Sequence, residues 1–132
     1  MTESTHNVLF VDDEPQFLQL VKRIFSKENF EILTAGNGEE AIEVFKKNSR
    51  IPVMVTDFRM PRMDGDKRIE KLREISPATQ SIIVSAHGEA IEACNKVSEG
   101  QIFSMIPKPV DMKYLKETIQ SALKYSQEPL GS

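Results

Sequence analysis

Short runs that are apolar at every position alternate along this chain with stretches whose apolar residues recur every three or four positions, and few folds tolerate that alternation. The first run is Val8-Leu9-Phe10-Val11. A strand that is apolar on both sides must be covered on both, so it belongs at the centre of a parallel sheet. The stretch that follows carries Phe17, Leu20, Val21, Ile24 and Phe25 at helical spacing, and Pro15 near its start costs no hydrogen bond. The pattern then repeats. Phe30-Glu31-Ile32-Leu33-Thr34 is a shorter, mixed strand suited to an edge, Gly36 and Gly38 make a turn, and Asn37 caps a helix with Ala41, Ile42, Val44 and Phe45. Val53 to Thr56, Ser81 to Val84 and Ile102 to Ile106 are further strands. Ile69, Leu72 and Ile75, then Ile91, Cys94 and Val97, then Met112, Leu115, Ile119 and Leu123 mark further helix faces. Five strand-helix pairs predict an α/β fold, a doubly wound, five-stranded parallel sheet of order 2-1-3-4-5 with five helices.

A chain of 132 residues is long enough to bury roughly two-thirds of its unfolded surface in one core, so one domain over residues 7–125 is expected. Residues 1–6 read as a flexible N-terminus and 126–132 as a tail or linker. A single cysteine, Cys94, has no internal disulfide partner and suits a reducing compartment. The polar N-terminus lacks the features of a signal peptide, and no apolar run reaches bilayer length, so a cytoplasmic protein without membrane contact is expected. The net charge of −3 gives no basis for direct nucleic-acid binding. The basic residues Arg59, Arg62, Lys67, Arg68, Lys71 and Arg73 read first as a solvated helix face.

In open parallel sheets the functional crevice lies at the carboxyl ends of the strands, beside the point where the winding reverses. Here the first strand ends in Asp12, Asp13 and Glu14, and the third ends in Asp57. Carboxylates meeting there repel one another by about 4 kcal/mol per pair at ~4 Å and an effective dielectric near 20. A hard divalent cation relieves that repulsion, and an all-oxygen, partly hydrated site suits Mg2+ better than Zn2+. Ser85 at the end of the fourth strand and Lys108 after the fifth bring a hydroxyl and an ammonium to the same end.

These residues together resemble the receiver domain of two-component response regulators, over essentially the whole chain. The resemblance rests on Asp12-Asp13, the run Asp57-Phe58-Arg59-Met60-Pro61-Arg62-Met63-Asp64-Gly65, the step Ser85-Ala86, and Lys108-Pro109. It implies a flavodoxin-like receiver fold and a signalling switch in a phosphorelay. Asp57 would be the phosphoacceptor, and Asp13, Asp57 and the Arg59 backbone carbonyl would bind Mg2+, with Asp12 on a metal-bound water. Ser85 and Lys108 would contact phosphoryl oxygens, and the Lys108-Pro109 bond would be cis. Glu14, Phe58, Ala86, His87 and Pro109 would border the site, Ala86 being small enough to admit the phosphoryl group, and His87 and Arg59 falling where acyl-phosphate lifetime is tuned. The implied partners are a sensor histidine kinase or phosphotransfer protein and an output domain or downstream protein. The chain would be a monomer or a dimer promoted by phosphorylation. It would be a regulatory domain assisting its own phosphorylation and autodephosphorylation, with the face of the fourth helix, fifth strand and fifth helix as its output.

One departure concerns that output. Three residues before the lysine the family commonly carries an aromatic that turns inward, and this chain has Met105. Phe103, on the same side of the sheet by strand alternation, is the other candidate for the switch role, and ordinary packing is the plain alternative for both. Other readings of the whole stand beside the receiver. A degenerate receiver used as a scaffold would lack the acceptor set that is present here. A Mg2+-dependent phosphatase with an aspartyl nucleophile would show Asp-x-Asp, whereas Arg59 stands second after Asp57. A flavin carrier would not meet a phosphate with Asp12, Asp13 and Glu14.

Overall fold

The structure is a computed structural model, described here for residues 6–28, 30–48, 51–57, 59–60, 63–64, 79–85 and 103–127. Five parallel strands form one sheet: β1 (His6–Val11), β2 (Phe30–Ala35), β3 (Val53–Asp57), β4 (Gln80–Ser85) and β5 (Ser104–Pro107). Their order is β2-β1-β3-β4-β5, as the sequence predicts. Three helices are described, α1 (Pro15–Ile24), α2 (Gly38–Lys47) and α3 (Met112–Gln127). The predicted helix faces at Ile69, Leu72 and Ile75 and at Ile91, Cys94 and Val97 lie outside the described residues. A two-residue antiparallel ribbon pairs Arg59 with Asp64 and Met60 with Met63 just after β3.

Residue alternation sorts the sheet's side chains into two cores. Val8, Phe10, Val53, Val55, Ile82, Val84 and Ile106 face α1 and α3, meeting Val21, Phe25, Leu115, Ile119, Ala122 and Leu123. Leu9, Val11 and Met54 face the other way, against Ala41 and Phe45 of α2, with Ala35 and Ile51. A strand buried on both faces cannot slip register without moving its whole apolar set, so the strand ends are fixed relative to one another. Phe25 also holds Phe10 and Phe30 at ring-centroid distances of 6.2 and 5.8 Å, tying α1 to β1 and β2.

Local chemistry sets the helix boundaries. Pro15 starts α1, and Lys22 and Arg23 lie in its last turn where they complement the helix dipole. At α2 the Glu40 N–H donates to Asn37 Oδ1 at 2.9 Å, and Glu40 Oε1 accepts from the Gly36 N–H at 2.7 Å. This reciprocal cap makes Gly38 the first helical residue, not part of the turn the sequence suggests. Asp111 Oδ1 accepts from the N–H groups of Lys113 and Tyr114 ahead of α3. The predicted apolar face of α1 is also wider than the buried one: Leu20 and Ile24 are 40% and 41% exposed, while Leu18 packs half-buried on the core instead. Among the described residues no helix is long and apolar enough to cross a membrane.

Candidate phosphoacceptor site

Parallel register brings the two acidic loops together. Val11 pairs with Thr56, so Asp12 and Asp57 are the next residues on adjacent strands and share a face of the sheet. Asp57 pairs with Val84, which places Ser85 one step further on, and Ser85 pairs with Pro107 immediately before Lys108. The Lys108 N–H donates to the Ser85 carbonyl at 2.9 Å and the Asp12 N–H to the Ala35 carbonyl at 3.1 Å, so both loops leave the sheet while still attached to it.

The side chains at this end are unequal in burial. Asp12, Asp57 and Ser85 are buried, Asp13 and Glu14 are exposed. Asp12 Oδ1 accepts from the Glu14 N–H at 2.9 Å, turning the chain into α1, for which Glu14 supplies no side-chain cap of its own. Burial pushes the Asp12 carboxyl up from 3.8 to about 6; the Glu14 hydrogen bond opposes that rise, and the charges of Asp57, Asp13 and Glu14 add to it. Lys108 Nζ donates to Asp57 Oδ2 at 2.6 Å, an ion pair whose lysine is 43% exposed and whose aspartate is 9% exposed. The Lys108-Pro109 peptide bond is cis, as the sequence reading expects.

Two polar groups stand out. Ser85 Oγ is buried and has no hydrogen-bond partner among the described residues, a cost of roughly 1–3 kcal/mol that a bound acceptor would relieve. Thr56, not singled out in the sequence, is fully buried beside Asp57 and its Oγ1 donates to the Asp57 carbonyl at 3.3 Å. A lone threonine inside an apolar strand gives little signal of such a role. The direct ion pair between Lys108 and Asp57 was also not legible, since both residues read as ligands of a third group.

Of the remaining candidates, Arg59 lies in the ribbon after β3, and Phe58, Ala86 and His87 lie outside the described residues. Met105 is half-buried on β5, paired with Ile83. Phe103 does not follow the alternation expected of it. It precedes the first strand residue, packs half-buried against the core under α1 and α3 that also holds Ile106, and sets its ring 5.8 Å from that of Tyr125. Met105, next to Ile106 in the strand, faces the opposite way. Outside the regular strand the backbone is free of the two-residue period, so Phe103 is not Met105's neighbour on one face. Tyr125 was not anticipated, because helical spacing alone cannot show a contact across 22 residues of sequence.

A parallel sheet of this order with an acidic pair, an acidic strand end, a buried hydroxyl and a lysine at one rim defines a class of regulatory domain. The chain belongs to the response regulator receiver domain family, whose match spans residues 8–120, and so to two-component signal transduction. It is similar to the chemotaxis protein CheY of Bacillus subtilis, 32% identical over 120 residues that cover 89% of this chain and 98% of that protein. It is also similar to the transcriptional regulatory protein GlrR of Escherichia coli K12, 31% identical over 126 residues, 96% of this chain. The chain spans only 28% of the length of that regulator. The crystal structure described as the adenylate cyclase from Rhodopirellula baltica shares the fold at a TM-score of 0.89 and 33% identity, over 93% of this chain and 90% of that one.

Proposed function

We propose that Asp57 accepts a phosphoryl group from a phosphohistidine on a sensor histidine kinase or phosphotransfer protein, in a Mg2+-dependent reaction. The observation that carries this reading is the 2.6 Å ion pair of Lys108 with Asp57 next to the partnerless Ser85 hydroxyl. An acceptor carboxylate, a cation and a free hydroxyl at one rim match what a phosphoryl group requires: a nucleophile on one side and donors for its equatorial oxygens on the other.

A Mg2+ ion fits the donor set. Buried Asp12 holds its proton up to about pH 6, chiefly because burial penalises its charged form, with the charges of Asp57, Asp13 and Glu14 adding to the rise, and a cation at this rim would offset that penalty. Among the described residues no three carboxylate, imidazole or thiol groups gather at metal-binding spacing. As the receiver resemblance implies, Asp13, Asp57 and the Arg59 backbone carbonyl would hold the ion, with water completing its shell and Asp12 adding charge nearby. Bound there, it supplies charge neutralisation for the carboxylates and for the phosphoryl oxygens.

In this reading an Asp57 carboxylate oxygen forms the new bond to phosphorus while the phosphorus–nitrogen bond to the kinase histidine breaks, and the imidazole nitrogen takes a proton. Lys108 moves from Asp57 Oδ2 to a phosphoryl oxygen, and Ser85 Oγ donates to another. Water later attacks phosphorus, releasing phosphate and restoring the carboxylate. The switched output would be the face containing β5, α3 and the fourth helix that the sequence predicts, acting on an output domain or downstream protein. Residues 7–125 would form the receiver, with its first strand starting one residue earlier at His6 and its last helix running on to Gln127, and the rest of 126–132 would be a tail.

Intact-mass measurement after incubation with acetyl phosphate and Mg2+ tests the proposal. One phosphoryl group is expected on the parent and none on Asp57→Asn. Absence of label on the parent would favour a scaffold that has the fold and no longer the chemistry.

A further inference from the structure

The substitution of methionine at position 105 raises the question of how an event at Lys108 reaches the surface. β5 pairs with β4 alone among the described strands, so it is held along one edge only. Its ends are pinned by two hydrogen bonds: the Phe103 N–H donates to the Ser81 carbonyl at 2.7 Å, and the Lys108 N–H to the Ser85 carbonyl at 2.9 Å. Between them the backbone is extended, about 3.3 Å per residue, and an extended strand cannot absorb a displacement by compressing. A shift imposed at Lys108 would be passed along the strand toward Phe103. There the Phe103 ring meets Tyr125 at 5.8 Å and an interplanar angle of 47°. Tyr125 is 56% exposed in the last turns of α3, so one ring of the pair is anchored to the core and the other faces solvent.

Resting on the phosphoacceptor reading, we propose that the Phe103–Tyr125 ring pair is the output contact of this receiver, carrying displacement of β5 to the exposed end of α3. Met105 faces away from this path. The ammonium of Lys108, drawn off Asp57 toward a phosphoryl oxygen, pulls on the C-terminal end of β5. Phe103 moves with the strand, and Tyr125, free on its outer side, changes its position against the ring beneath it. The exposed tyrosine is thus the part of the signal that a partner would read.

The test uses the full chain labelled with 3-fluorotyrosine. It has two tyrosines, Tyr114 and Tyr125, and no tryptophan, so 19F NMR gives two resonances, assigned with Tyr114→Phe. Mg2+ with beryllium trifluoride serves as the phosphoryl mimic, and acetyl phosphate with intact-mass readout reports acceptance at Asp57 separately. The Tyr125 resonance is expected to move on adding the mimic. That response should be lost in Phe103→Leu, kept in Met105→Leu, and kept in the conservative Phe103→Tyr, whose own label adds a third resonance absent from the parent. A Tyr125 resonance that stays still while mass shows phosphorylation would overturn the ring-pair proposal and leave the acceptor reading standing. The ring pair is equally overturned if Phe103→Leu responds as fully as the parent, or if Met105→Leu abolishes the response. A protein that gains no phosphoryl mass would overturn both.

Discussion

Lys108 Nζ reaches Asp57 Oδ2 at 2.6 Å across the mouth of the sheet, although 51 residues separate the two in sequence. The lysine is 43% exposed, so solvent screens this pair and its net contribution to folding is small. Its importance lies in where it places a mobile positive charge: beside the oxygen that would attack phosphorus. Lys108→Ala should change unfolding free energy by less than about 1 kcal/mol and leave Mg2+ affinity intact or slightly raised, since one competing cation is gone. The response of α3 to phosphorylation should be weakened. Denaturant titration, Mg2+ titration and the Tyr125 resonance measure these three effects separately.

Ser85 offers a test with opposite signs for stability and response. Its buried hydroxyl has no partner among the described residues, so removing it removes an uncompensated desolvation cost. Ser85→Ala is expected to be neutral or stabilising by about 1 kcal/mol in the unphosphorylated protein. The phosphorylation-linked change should be reduced at the same time. A clear loss of stability in thermal unfolding would mean that the hydroxyl is already satisfied.

The carboxyl of Asp12 predicts a pH dependence for the metal-free protein. With its folded value raised from 3.8 to about 6, chiefly by burial, the folded state binds this proton more tightly than the unfolded chain does. Stability from this group therefore increases as pH falls from about 6 to about 4, and the full penalty of the charged form is present above 6. Asp12→Asn should stabilise the protein in EDTA at pH 8, on the order of 1 to 3 kcal/mol, and the difference should vanish near pH 4. Equal differences at the two pH values, in parallel melts, would contradict the assignment.

Phe25 is fully buried between Phe10 and Phe30 where α1 meets β1 and β2. Phe25→Ala should cost about 3–5 kcal/mol by leaving a cavity among three rings. By contrast Leu20→Ala or Ile24→Ala, on the exposed side of the same helix, should stay within about 1 kcal/mol. Equilibrium unfolding distinguishes the two faces directly.

The sheet was legible because its strands are apolar at every position, and a doubly buried strand leaves no other placement. Winding order and crevice position then follow from general rules of parallel sheets, and Asp12, Asp57, Ser85 and Lys108 fall at strand ends by count alone. Less was legible wherever a single period describes the wrong thing. Leu20 and Ile24 fit a helical stripe, but the core beneath α1 is narrower than the stripe. Gly38 reads as a turn until the Asn37 and Glu40 cap draws it into the helix. Phe103 reads as strand until its position ahead of Ser104 frees it to reach Tyr125. Contacts between residues far apart in sequence, such as Lys108 with Asp57, depend on register between strands, which no local pattern encodes.

The most direct measurement is to trap the phosphorylated protein by borohydride reduction, which converts an aspartyl phosphate to homoserine, and to map the product by peptide sequencing. Homoserine at position 57 alone, dependent on Mg2+ and diminished in Lys108→Ala, is the predicted outcome. Homoserine at Asp12, Asp13 or Asp64, or labelling that persists in Asp57→Asn, would contradict the assignment of the acceptor.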